Sequence, residues 1–172
     1  TLRNTSDQPR EVRLWNGHRK PPLSIPLPGD VNDHIVRTIR TSGSQGTGIY
    51  PQGMVINPYN GLTYIANQLS NTISVLDGNG NLQDTLALPT FGNPFGGSPV
   101  DLTVFANGDS PNYGKVYLVN AIGDSVSVIG RGLEIEKTIP VGIRPVAIVF
   151  NPVNQRIYVA NMAEHTVSVI DP

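Results

Sequence analysis

The chain has 172 residues, enough for one domain with a substantial core, and its formal net charge of −1 argues against a general nucleic-acid binder, which needs a basic face to neutralise phosphates. It has no cysteine, which excludes disulfides, thiolate metal sites, covalent c-type haem and cysteine nucleophiles. With Gly 18 and Pro 15, tight turns are favoured over helices; no apolar run holds helical spacing without a Gly, Pro or Asn interruption, and none approaches the length of a transmembrane helix.

Residues 1–33 match no other part of the chain. Glu11–Trp15 reads as a short strand, Asn16-Gly17 as a turn, and Pro21, Pro22, Pro26 and Pro28 mark an extended stretch that lacks donors for a sheet interior. Asn4-Thr5-Ser6 has the pattern of a glycosylation sequon. The chain begins at Thr1 with no signal-like apolar stretch, so we expect a processed chain or a portion of a longer one. Residues 1–44 carry seven Lys/Arg against four Asp/Glu, and residues 45–172 carry five against nine. A basic arm thus precedes an acidic body, and such an arm suits docking on the body of a neighbouring copy.

From Pro51 onward the chain repeats itself three times. PQGMVINPYNGLTYIANQLSNTISVLDG begins at Pro51, SPVDLTVFANGDSPNYGKVYLVNAIGDSVSVIG at Ser98, and RPVAIVFNPVNQRIYVANMAEHTVSVIDP at Arg144. Each copy reads as short β runs rich in Val, Ile and Tyr; in the last these are Val146–Phe150, Arg156–Ala160 and Thr166–Ile170. Pro51, Pro99 and Pro145 open the copies, Tyr64, Tyr117 and Tyr158 begin a shared tetrapeptide, and Ser74, Ser127 and Ser168 sit in the closing run. The second copy is longer by about five residues around Gly108–Tyr113 and the first by about seven near Pro89–Gly97; a stacked repeat tolerates insertions in its connections.

The tetrapeptides Tyr64-Ile65-Ala66-Asn67, Tyr117-Leu118-Val119-Asn120 and Tyr158-Val159-Ala160-Asn161, each followed by a Ser-Val run, and the Asn-Pro pairs at Asn57 and Asn151 closely resemble the YVTN β-propeller repeat family over roughly residues 34–172. The resemblance implies an all-β fold of four-stranded antiparallel blades, about three in this chain: 51–97, 98–143 and 144–172, the last without its fourth strand. His34–Thr41, HIVRTIRT, resembles Leu82–Leu88 and Leu133–Pro140, which follow the Ser-Val runs, so we expect it to be a fourth strand in residues 34–50 that closes a blade. Ile35, Val36 and Ile39 are its candidate assembly residues.

Three wedges span an arc rather than a ring. Strands such as VAIVF, with neighbours on both faces, read as nearly continuous apolar runs. Each uncovered end face leaves on the order of 500 Å² of apolar surface, worth about 12 kcal/mol. Another copy, a different propeller-containing chain or missing sequence is therefore expected to complete the arc, and copies joined head to tail give a ring or a filament.

Few residues invite chemistry. His18, His34 and His165 show no metal-ligand spacing. Asp77-Gly78-Asn79-Gly80-Asn81, with Asp84, places oxygen ligands as a Ca²⁺ loop begins, yet it lies where a turn must be, and Pro89 stands where the closing Glu belongs. The recurring Asn67, Asn120 and Asn161 suggest a structural job, an Asn bonding the turn backbone and tolerating left-handed geometry. We therefore assign no catalytic residue, cofactor or metal. Tyr50, Phe91, Phe95, Arg144 and His165 are candidate contacts at one end of the propeller, and the Phe loop has the alternative of folding back over the blade edge.

The expected role is protein–protein interaction or structural assembly, outside the cell, at its surface or in the periplasm, as the resemblance implies. The competing reading is part of a periplasmic redox enzyme or a lactonase-like hydrolase, for which the inner strands offer mainly Asp101 and Arg144.

Overall fold

The computed structural model describes residues 38–39, 42–43, 46–90, 92 and 96–172. The chain divides into two units at Thr38/Ile39, and the second holds every strand described below. The arm at 1–33, Ile35, Val36, His34, Phe91 and Phe95 lie outside the described residues. Within 34–41 only Thr38 and Ile39 are described, and neither is in a strand.

A short pair, β1 (Ser42–Gly43) with β2 (Gly46–Thr47), precedes three antiparallel sheets. The first sheet comprises β3 (Pro51–Ile56), β4 (Thr63–Asn67), β5 (Thr72–Leu76) and β6 (Leu82–Ala87); the second β7 (Pro99–Val104), β8 (Val116–Asn120), β9 (Ser125–Ile129) and β10 (Ile135–Pro140); the third β11 (Pro145–Asn151), β12 (Arg156–Asn161) and β13 (Thr166–Ile170). In each sheet the strands lie in sequence order, the meander of a propeller blade. Among the described residues the third sheet has three strands and β13 is an edge. All three inner strands carry a register shift just after their opening proline, between Pro51 and Met54, Pro99 and Asp101, and Pro145 and Ala147. A proline without a donor starts each strand, and the bulge bends it.

Two apolar seams hold the sheets together. Tyr64, Ala66, Ile73 and Val75 of the first sheet pack against Leu102, Val104, Val116, Leu118 and Ile129 of the second. Tyr117, Val119, Val126 and Val128, on the opposite face of the second sheet, pack with Ile148, Ile157, Val159 and Ile170 of the third. Burial on both faces makes β8 and β9 buried throughout, as the continuous apolar reading requires. That reading holds nearly as well for β4 and β5 of the first sheet and does not extend to the third. In β11 and β13 most side chains are exposed or half-buried, because nothing among the described residues covers the far face of the third sheet.

Candidate functional site

The end of the sheets that carries Asn67, Asn120 and Asn161 concentrates unusual backbone. The residue before each opening proline is left-handed, Tyr50 at φ 64°, Ser98 at 57° and Arg144 at 53°. Its carbonyl accepts the N–H of the residue just after the repeated Asn: Gln68 to Tyr50, Ala121 to Ser98 and Met162 to Arg144, at 2.9, 3.0 and 3.0 Å. The incoming connection is thereby tied to the β4–β5, β8–β9 and β12–β13 turns. Asn71, Asp124 and His165 hold the equivalent left-handed position within those turns, at 53°, 44° and 56°.

Here the role expected for the repeated asparagines needs correcting. The left-handed geometry belongs to Asn71, Asp124 and His165, and each repeated Asn instead donates its amide to hydroxyls of the next strand. Asn67 Nδ2 reaches Thr72 and Ser74 at 3.3 and 2.9 Å, Asn120 Nδ2 reaches Ser125 and Ser127 at 3.2 and 2.9 Å, and Asn161 Nδ2 reaches Thr166 and Ser168 at 3.0 and 2.9 Å. All three are buried, and their Oδ1 atoms have no hydrogen-bond partner among the described residues. A buried amide that spans two strand residues is a fastening inside the blade, in keeping with the structural job read from its recurrence.

Two shallow hollows open on this end. One of about 460 Å³ is lined by Gln68, Ser98, Ile122, Asp124, Ile143 and Arg144, and one of about 380 Å³ by Tyr50, Gln68, Leu69, Ser98 and Ile122. Tyr50 and Arg144 therefore flank the same three residues. His165 lines neither hollow and stays on its turn. Ile49, Tyr50, Leu69, Ile122, Ile143 and Met162 are all exposed there, an apolar fringe beside one exposed guanidinium. The backbone N–H of Arg144 donates to Asp124 Oδ1 at 2.8 Å, which holds the connection in place.

Asp101, the acid that an enzyme reading leans on, is committed elsewhere. Its Oδ1 accepts the N–H of Leu102 at 2.9 Å and its Oδ2 the N–H of Ile148 at 3.0 Å, so the carboxylate joins β7 to β11. Thr103 Oγ1 accepts the N–H of Phe150 at 3.3 Å, and the Phe105 and Phe150 rings lie 4.6 Å apart.

Asp77 accepts backbone N–H bonds from Asn79 and Asn81 at 2.9 and 2.8 Å and side-chain bonds from Asn81 and Gln83. These bonds, the backbone N–H of Asn81 foremost, hold its carboxyl below the usual value. Its oxygens organise a turn, the turn reading of that stretch, and among the described residues no group of three or more His, Asp or Glu side chains is placed to hold a metal ion.

Sequence reasoning left one cluster without a role. The inserted loop of the second sheet is anchored on the first sheet. Asn57 Nδ2, buried, donates to the Gly114 carbonyl at 2.7 Å; Tyr59 and Tyr113 meet edge to face at 5.6 Å; and Arg131 stands 4.5 Å over the Tyr59 ring while bonding the carbonyls of Tyr113 and Pro111. Gly114 is left-handed, φ 84°, and a Cβ there would meet the Tyr59 Cβ at 2.5 Å, so only glycine fits beneath that ring. The usable signals were the Asn-Pro pair and a glycine standing two residues before Val116.

The far faces of the end sheets carry exposed apolar side chains. On the first sheet a groove of about 490 Å³ is lined by Ile39, Met54, Ile56, Gly61, Thr63, Ile65 and Leu76 among others, with Met54 65% and Ile56 67% exposed. β2 runs beside β5 and β6, and the exposed part of the groove is at Met54 and Ile56 of β3. On the third sheet Val149, Val167 and Val169 are 58, 60 and 51% exposed.

The solved structures similar to this chain carry propeller-type folds. Virginiamycin B lyase from Staphylococcus aureus matches with a TM-score of 0.54 at 20% identity over 73% of this chain and 42% of that one. Kuenenia stuttgartiensis hydrazine synthase matches with 0.59 at 24% over 78% and 36%, and a 6-phosphogluconolactonase-like protein from Bacteroides uniformis with 0.56 at 15% over 69% and 35%. At these identities the likeness shows the fold alone, and the chain spans less than half of each neighbour's length. No family model matches the chain, and no curated protein matches it. The class defined is an all-β propeller-type chain, of which three blades are seen here. Among the described residues no helix is long and apolar enough to cross a membrane.

Proposed function

We propose that this chain, read as a YVTN-like repeat protein, is a protein–protein interaction or assembly subunit that acts outside the cell or at its surface by offering blade faces and a strand edge for completion. The observation that carries this reading is the pair of open apolar sheet faces, Met54 and Ile56 at one end of the array and Val149, Val167 and Val169 at the other. Soluble chains rarely leave contiguous apolar sheet faces in water, and faces of this kind mark interaction surfaces. The outer edge of β13, which has no partner strand among the described residues, adds a row of backbone donors and acceptors suited to an incoming strand. The resemblance to YVTN repeats supports the location. The loop-end hollows and their apolar fringe supply a second contact area, around Tyr50 and Arg144. Size-exclusion chromatography with light scattering tests the reading: we expect the purified chain to run as an assembly, and a stable, well-folded monomer contradicts it.

A further inference from the structure

The face of the third sheet left open among the described residues repeats, on its second and third strands, the positions by which the first sheet docks on the second. Tyr64, Ala66, Ile73 and Val75 lie in the first seam, each 1% exposed or less. Their counterparts, counted from the shared tetrapeptide, are Tyr158, Ala160, Val167 and Val169. The register places these four on one face, Tyr158 opposite Val169 and Ala160 opposite Val167, as it places Tyr64 opposite Val75 and Ala66 opposite Ile73. The receiving side matches as well. Leu102, Val104, Val116, Leu118 and Ile129 of the second sheet correspond to Met54, Ile56, Thr63, Ile65 and Leu76 of the first; these five line the groove there, Met54 and Ile56 exposed at its mouth and Ile65 and Leu76 buried at its floor.

The polar register of the seam is duplicated too. In the existing seam Asn57 Oδ1 accepts the Tyr59 N–H while Nδ2 crosses to the Gly114 carbonyl. In the third sheet Asn151 Oδ1 accepts the Val153 N–H at 2.9 Å, in the same turn, and Val153 is 91% exposed where Tyr59 covers its neighbour. The counterpart of Gly114 on the first sheet is Gly61, also glycine, also left-handed at φ 72°, with open space where its Cβ would be. A donor turn thus stands at one end of the array and an empty seat at the other, both copies of a joint already closed once inside the chain.

We infer that a second copy of this chain docks head to tail, its third-sheet face on the first-sheet groove, with Asn151 Nδ2 of one copy donating to the Gly61 carbonyl of the other and Val153 seated over that glycine. This rests on the interaction reading above and adds the occupant and the register. A heterologous joint of this kind gives a closed pair when both ends meet and a chain of copies when they do not.

The test is sedimentation velocity of the full chain over a concentration series, with four variants whose melting curves are recorded alongside. Asn151→Asp keeps the oxygen that organises the turn and removes only the crossing donor; Val153→Asp charges the seated side chain; Gly61→Asn fills the seat with a residue that tolerates left-handed geometry; Val169→Asp charges the face itself. We expect the wild type to self-associate, each variant to weaken association by about tenfold or more, and an equimolar mixture of Asn151→Asp with Gly61→Asn to recover association, because one joint in each mixed pair is intact. If Val169→Asp dissociates the assembly while the two turn variants and Gly61→Asn leave it unchanged, or if mixing restores nothing, this register is overturned and the interaction reading stands. If the wild type is a monomer, or associates regardless of Val169→Asp, both fall.

Discussion

Replacing Asp101 by Ala removes a side chain that bonds the backbone of two sheets at once. The Ile148 N–H, 3.0 Å from Oδ2 and half-buried in the second seam, loses its acceptor, and the Leu102 N–H at 2.9 Å loses a local one. A hydrogen bond to a charged group contributes about 1.5–3 kcal/mol, and a donor left buried and unmet costs a similar amount. The local bond to Leu102 is more easily replaced by water, so the Ile148 bond dominates and we expect a loss of roughly 2–3 kcal/mol. For a unit of this size that lowers Tm by about 4–12 °C. Thr103→Val removes the longer 3.3 Å bond to Phe150 and is expected to cost less, under about 1 kcal/mol. Urea unfolding followed by circular dichroism measures both, and amide exchange at Ile148 should quicken selectively in Asp101→Ala. A variant within about 0.5 kcal/mol of wild type, with unchanged exchange at Ile148, would refute the account of Asp101 as a link between sheets.

Asn120→Ala strands the Ser125 and Ser127 hydroxyls in the middle sheet and should cost about 1–3 kcal/mol in urea unfolding, more than Asn161→Ala, whose bonds are only partly buried. Arg131→Ala frees the inserted loop from Tyr59 and from the carbonyls of Tyr113 and Pro111; we expect faster proteolysis within residues 108–113 and a stability loss of about 1 kcal/mol. Burial, and then the charge of Glu136, push the Tyr117 hydroxyl up to about 12 from 10.0. The folded state therefore holds this proton where the unfolded chain releases it, so the contribution is full below pH 10 and is lost as pH rises toward 12. Tyr117→Phe should flatten the alkaline limb of a stability–pH curve, and an unchanged limb would count against the burial argument.

Strand positions were legible because short runs rich in Val, Ile and Tyr, broken by Asn, Gly and Pro, are a local signal that each copy repeats. The left-handed turn position was misplaced: the sequence suggests it at the repeated asparagines, and it lies four residues further on, at Asn71, Asp124 and His165. The roles of Asp101 and Asn57 were not, since each acts on a backbone group more than forty residues away and nothing near them in the chain announces the partner. The hydroxyls beneath the repeated asparagines did leave a trace. Thr or Ser stands five and seven residues after Asn67, Asn120 and Asn161 in every copy, the spacing of a strand that turns back and pairs. The inserted residues 108–113 read as slack in a connection, whereas Tyr113 makes them part of a seam.

The two seams are locked by different keys. Asn57, Tyr59 and Arg131 close the first, and Asp101, Thr103 and the Phe105–Phe150 pair close the second. Near-identical modules strung on one polypeptide face the hazard of stacking out of turn or trading places with those of a sister chain during folding. Apolar surfaces alone cannot tell such modules apart. Unlike keys allow each module to recognise its own neighbour, so the order of the array is enforced by a handful of polar atoms while its cohesion comes from the aliphatic bulk between them.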